Sequence, residues 1–195
     1  KFNDCVFWSQ VVTQFEKKCG MPWKKMVGLL KSSGHVKNFP KTLIKSRKSA
    51  WVREIRRANE HLCKSIAGGN EVVLDSSKEI TRALFLIKHS PEAQIIHLVR
   101  HPRDILASNY WRMKKGDGFK VLRHHFKSPR LFGFFLFIST INWLIGNMLS
   151  EFVRLSAPRR FIRVRYEDLI DDTESTLIRL GAFINISMDE LIVKV

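Results

Sequence analysis

The stretch from Val72 to Ser108, VVLDSSKEITRALFLIKHSPEAQIIHLVRHPRDILAS, decides the fold. It holds two apolar runs, each ending abruptly in polar residues and each followed by a helix-like pattern. The first run, Glu71 to Asp75, reads as a strand, and Ile80, Ala83, Leu84 and Ile87 after it recur at helical spacing. The second, Gln94 to Arg100, reads as a strand that delivers Arg100 to its carboxyl end. Pro102 then opens a helix that carries Ser108 and runs to about Lys114. An arginine at a strand end beside a helix N-terminus is well placed to hold a phosphate. The guanidinium supplies a planar fork of charged donors, the helix supplies N–H groups and the positive end of its dipole, and ligands of open α/β sheets sit at the carboxyl ends of the strands.

Working outward, Phe161 to Tyr166 reads as a third strand, with Arg163 and Arg165 alternating against apolar neighbours. Thr173 reads as the N-cap of a helix to about Ile184. Upstream, Cys5 to Lys18 reads as a helix with Val6, Phe7, Val11 and Phe15 on one side. Gly20 to Lys48 is loop-like in its glycines, prolines, serines and lysines. A long helix follows from Ser49, marked by Trp51, Ile55, Ala58 and Leu62, interleaved with Arg53, Arg56 and Arg57, and stopped by Gly68-Gly69. Strands alternating with helices imply a parallel sheet in a layered α/β domain.

Leu131 to Ser150 is uncharged for 20 residues, which meets the length rule for a transmembrane helix. Ser139, Asn142, Gly146 and Ser150, however, form a small polar stripe at helical spacing, and Asn147 adds another amide that would be costly in lipid. The segment therefore reads as a helix buried in the protein or covering the sheet, rather than a membrane span.

A chain of 195 residues fits a single domain that buries roughly 70% of its unfolded surface. Its apolar content of 45% is that of a folded protein. The net charge of +16 favours anionic partners: a nucleotide, a sulfated or uronic sugar, nucleic acid or a membrane surface. The three cysteines, Cys5, Cys19 and Cys63, form neither a disulfide framework nor a zinc pattern. They read as free thiols, with a Cys5–Cys19 bridge open as an alternative in a secretory compartment. His97 and His101 fall on a strand and a turn, and His124-His125 diverge, so no metal site is expected. Asn185-Ile186-Ser187 is a glycosylation sequon only in a secretory protein. The start at Lys1 and the helix-like end at Leu191–Val195 read as those of a domain truncated at both ends.

The sequence LDSSK followed some twenty residues later by HLVRHPRDILAS resembles the sulfotransferase family, whose members move a sulfuryl group from 3′-phosphoadenosine 5′-phosphosulfate (PAPS) to a hydroxyl or amine. That family's 3′-phosphate motif has an arginine at a strand end and a serine eight positions later, the spacing of Arg100 and Ser108. Ile162 to Leu169 resembles the family's late strand ending in Tyr-Glu-Asp, and Cys5-Val6-Phe7-Trp8 resembles a short upstream motif of bacterial-type members. The resemblance implies a three-layer parallel sheet flanked by helices, a P-loop-nucleotide-kinase-like fold, here partial. It also implies that Arg100 and Ser108 bind the 3′-phosphate. Two roles are open to Tyr166: contact with the nucleotide, as in the cytosolic branch, or packing at the strand end with its hydroxyl satisfied. Glu167 and Asp168 are expected to cap or brace the following turn.

That branch has a catalytic histidine 22 positions before its 3′-phosphate arginine, and Lys78 occupies that spacing here. Lys78 could donate to the moving group's oxygens and to the leaving phosphate, with Asp75 as a base or orienting group; the alternative for both is a polar strand end capping the next helix. No segment matches the family's 5′-phosphosulfate loop, since Ala67-Gly68-Gly69 precedes a strand, and none matches G-x-x-x-x-G-K-[ST]. The chain by itself is therefore expected to lack transferase activity. The basic stretch Lys24 to Arg57 is a solvated face or an acceptor site for an acidic sugar. The reading is a PAPS-dependent sulfotransferase domain, without metal or nucleic acid, acting on a carbohydrate or small-molecule acceptor in a bacterial-type cytoplasm, with the Golgi lumen as the alternative. Its rival is a non-catalytic basic module that binds polyanions.

Overall fold

A computed structural model describes residues 5–67, 72–76, 78–115 and 129–186. Gly68-Gly69, Ser77, His124-His125, Ser187 and Leu191–Val195 lie outside them. The chain forms two compact units, Lys1–Ala93 and Gln94–Val195.

The first unit is helical. Helix α1 (Val6–Cys19) buries Val11, Phe15 and Cys19 at four-residue intervals. Val6 and Phe7 were expected on that face and are instead exposed, because the stripe that packs begins one turn later. Gly20 ends the helix with φ of +66°, its N–H bonded to the Glu16 carbonyl, a left-handed cap that glycine adopts without strain.

The loop expected over Gly20–Lys48 is not found. That segment forms α2 (Trp23–Gly34), a 3-10 turn (Val36–Asn38) and α3 (Phe39–Ile44). Trp23, Met26, Val27 and Leu30 recur at helical spacing and pack toward the Phe15 and Ala58 core, while Lys24, Lys25 and Lys31 face solvent. The lysines hid an amphipathic stripe.

Helix α4 (Ala50–Ala67) buries Val52, Ile55, Ala58, Asn59 and Ser65. Its Arg57 donates to the Cys19 carbonyl at the end of α1 (2.9 Å). Helix α5 (Ile80–His89) buries Thr81, Arg82, Leu84, Phe85, Ile87 and His89. Phe85 meets Trp51 edge-on at 5.9 Å and closes the Val52–Ile55 cluster. A Cys5–Cys19 bridge is ruled out, since the two residues flank the whole of α1, ~20 Å at helical rise and beyond disulfide reach; all three thiols are free.

Of the strand expected over Glu71–Asp75, Glu71 lies outside the described residues, and no strand is found over the rest. Val72–Asp75 has no regular structure, and Val72 and Leu74 are exposed. A strand exists only by pairing, and the strands described below pair with each other.

In the second unit β1 (Ile95–Val99) and β2 (Phe161–Arg165) form the parallel ladder that the strand–helix alternation implied, with Ile95 opposite Phe161 and Val99 opposite Arg165. This is a mostly helical α/β chain with a small two-stranded parallel sheet; the three-layer sheet is not seen among the described residues. Both strands end at one edge, β1 leading into α6 (Pro102–Lys115) and β2 into α8 (Tyr166–Asp171). Helix α9 (Thr173–Ile184) is capped by Asp172, whose carboxylate accepts from the Ser175 N–H (3.2 Å), rather than by Thr173, whose hydroxyl turns back to the Leu169 carbonyl.

Helix α7 (Pro129–Ser156) meets the sheet at the last residue of its polar stripe, while Asn142 of that stripe is exposed. Ser150 is buried and lies 2.7 Å from His97 Nδ1, and Val153 is buried beside it. The expectation of a buried helix is corrected on the other side, where Phe134, Phe137, Leu144, Met148 and Leu155 are exposed. By length and composition alone, Leu136–Ser156 could cross a membrane, with a mean hydropathy of 1.2.

Candidate functional site

The carboxyl edge of the ladder concentrates the groups that matter. Val99 stands opposite Arg165, so the next residues, Arg100 and Tyr166, leave the sheet side by side. The Arg100 guanidinium lies over the Tyr166 ring, 4.7 Å from its centroid, a geometry that fixes a planar cation without consuming its N–H donors. Arg100 Nε is buried and has no hydrogen-bond partner among the described residues. A buried donor left unpaired is costly, and this one belongs to a cation that a phosphate oxygen would satisfy.

The helix N-terminus beside it behaves differently from the expectation that its donors stand open. The His101 N–H donates to Glu167 Oε1 (2.8 Å), and the Arg103 N–H donates to His101 Nδ1 (3.3 Å). The protein therefore caps α6 itself. Glu167 braces the β1–α6 turn rather than the turn that follows it, while the Asp168 carbonyl accepts from Thr176 on α9. The N–H of His101 holds the Glu167 carboxyl below the usual carboxylate range. Its second oxygen lies 3.7 Å from Arg165 Nε. From α7, Trp143 Nε1 donates to the Arg100 carbonyl (3.2 Å). Ser108 lies in the second turn of α6 and is exposed.

Behind the ladder, His97 is kept below its ordinary pKa by burial and then by Arg163, against the opposing pull of Glu151. It is therefore a neutral partner for Ser150 near pH 7.

Asp75 and Lys78 belong to the first unit. Arg82, buried on α5, donates through Nε to Asp75 Oδ2 (2.8 Å), through Nη2 to Asn59 Oδ1 (2.6 Å) and through Nη1 to Ser33 Oγ (3.4 Å). Asp75 is thus the counter-ion of a buried arginine. Lys78 is exposed just ahead of α5. Among the described residues no group of His, Cys, Asp and Glu is arranged to hold a metal ion.

The roles of Trp143 and Glu167 at Arg100 escaped the sequence reading. The ladder register carries one signal, since pairing continued past Val99 and Arg165 sets His101 opposite Glu167.

The second unit is thus a small parallel α/β unit that delivers to its carboxyl edge an arginine whose buried Nε has no partner among the described residues. A model of the sulfotransferase family matches residues 29–190, most of the 195 residues, and the chain belongs to that family. No curated protein and no solved structure matches it.

Proposed function

We propose that this chain serves a transferase that takes its sulfuryl group from PAPS and passes it to an acceptor hydroxyl or amine, on a carbohydrate or a small molecule, and that the chain by itself, with no segment matching the 5′-phosphosulfate loop, lacks that activity. The observation that carries the reading is Arg100, stacked on Tyr166 with Nε buried and unpartnered at the end of β1. In this reading Arg100 binds the 3′-phosphate, Ser108 adds a hydroxyl from α6, and Tyr166 supports the guanidinium from below. PAPS when bound supplies the activated sulfuryl group. The acceptor oxygen or nitrogen forms a bond to sulfur as the bond to the 5′-phosphate oxygen breaks, and the acceptor's proton passes to a base. Lys78 is the proposed cation for the sulfuryl oxygens and the leaving phosphate. Of the two roles open to Asp75, the ion pair with Arg82 supports orientation rather than proton abstraction.

Both units are proposed to serve one sulfotransferase domain, in keeping with a family match that runs through each. Three free thiols support a cytoplasmic setting.

The test is calorimetric binding of 3′,5′-adenosine bisphosphate against 5′-AMP at matched salt. A clear preference for the bisphosphate is expected. Equal binding of both, falling steeply with salt, would instead identify a polyanion-binding surface built on the +16 charge.

A further inference from the structure

The peptide that joins Arg100 to His101 is held at both of its polar atoms by side chains from two other elements. Its carbonyl accepts from Trp143 Nε1 of α7 (3.2 Å), and its N–H donates to Glu167 Oε1 of α8 (2.8 Å). We propose that Trp143 and Glu167 are positioning residues for Arg100, clamping this one peptide plane so that the guanidinium is presented in a fixed direction. The inference rests on the nucleotide-binding reading of the site.

Four observations support the clamp. The ladder ends at Val99 opposite Arg165, so strand pairing does not constrain the following peptide, and any backbone hydrogen bond that fixes it must come from elsewhere. The carbonyl and the N–H lie at opposite ends of one rigid plane, so a rotation of that plane breaks both bonds at once. The long arginine side chain departs from the Cα at the edge of that plane, so the clamp fixes the root from which its rotamers are counted, and the Tyr166 ring restrains its head. Finally, the Arg100 Nε is already buried, with no hydrogen-bond partner among the described residues, while the ring of Tyr166 holds the guanidinium face. The side chain is thus organised before any ligand arrives, which is what removes the ordering cost from binding.

The carboxylate of Glu167 stands close to where an anion would bind, which would ordinarily oppose it. Its charge is answered by Arg165 at 3.7 Å and its hydrogen-bonding oxygen by the His101 N–H. With the His101 N–H spent on the clamp and the Arg103 N–H on His101 Nδ1, the arginine, rather than the helix end, is left to meet the phosphate.

The experiment titrates the intact chain, as wild type, Trp143→Phe, Glu167→Ala, Glu167→Gln and the double variant Trp143→Phe/Glu167→Ala, with 3′,5′-adenosine bisphosphate and with 5′-AMP. Trp143→Phe and Glu167→Ala should each weaken the bisphosphate roughly fivefold, the loss of one net hydrogen bond, and leave 5′-AMP unchanged. Glu167→Gln keeps an oxygen acceptor and should hold the wild-type preference. The double variant should lose less than the product of the single losses, because both bonds restrain one plane. Equal weakening of both nucleotides would mean general damage to the fold and overturn the inference. So would wild-type preference in both single variants. A wild type that itself shows no preference for the bisphosphate would overturn the nucleotide reading, and the inference with it, and this outcome is distinct from the other two.

Discussion

His89 makes the stability of the first unit depend on pH, in a direction and to an extent set by its surroundings. It is 1% exposed, its ring lies 4.9 Å from that of Phe85, and neither ring nitrogen has a hydrogen-bond partner among the described residues. Burial, reinforced by Lys88, Arg47 and Arg56, lowers its pKa to about 4 from the ordinary 6.5. Because the folded value lies below the unfolded one, stability is fully present above 6.5 and is lost as pH falls from there toward 4. A displacement of that size is worth about 3 kcal/mol in full, of which about 2 kcal/mol has gone by pH 5. His97 is displaced the same way, so the comparison must be made against a variant. Urea unfolding of wild type and His89→Leu at pH 7.5 and pH 5, followed by tryptophan fluorescence, isolates the share of His89. The wild type should lose about 2 kcal/mol more than the variant on acidification. At pH 7.5 the leucine should cost nothing or stabilise, because it removes two unpaired buried nitrogens and keeps the packing. Identical pH slopes in the two proteins would refute the reasoning, and a large loss at pH 7.5 would show that the ring makes a polar contact worth keeping.

Three further substitutions probe the nucleotide site and the buried network. Arg100→Ala should weaken 3′,5′-adenosine bisphosphate by about 2 kcal/mol, roughly thirtyfold, the value of a hydrogen bond to a charged group, with 5′-AMP little affected in the same titration. Arg82→Ala should cost about 3 kcal/mol in urea unfolding, because Asp75, Asn59 and Ser33 all lose their shared donor. Asp75→Asn should cost less, since the Asp75 side chain is 40% exposed and Arg82 keeps its other two partners.

Elements whose periodicity was strong were legible in the sequence. The helices from Val6, Ala50, Ile80, Pro102 and Thr173 and the two strands at Ile95 and Phe161 lie where their patterns put them. The two failures have separate causes. Val72–Asp75 has the composition of a strand, but pairing is a property of two segments, and composition reports only one. Trp23–Gly34 has a clear helical stripe, masked by lysines that a loop and a solvated helix face share. Asp75 shows the limit for site residues: it is bonded directly to a buried arginine, Arg82, whose other partners, Asn59 of α4 and Ser33 of α2, no local motif announces. Trp143 was visible only as a tryptophan in an apolar helix, since an indole N–H has no sequence mark for the carbonyl it will meet.

Register explains why the Arg100 edge was the legible part. In a parallel ladder each residue pairs with one partner, so the match of Val99 to Arg165 determines what leaves the sheet together. Continued by one step it sets Arg100 against Tyr166, and by two steps His101 against Glu167, the two contacts found in the structure. A slip of one residue would set Arg100 beside Arg165 or Glu167 instead, and would move Phe161 and Val164, which are buried on opposite faces of β2, each to the other's face. The burial of those two apolar side chains therefore holds the register, and the register composes the site. The short motifs HLVRHP and RVRYED mark one location because hydrophobic burial several residues upstream brings their ends to the same edge.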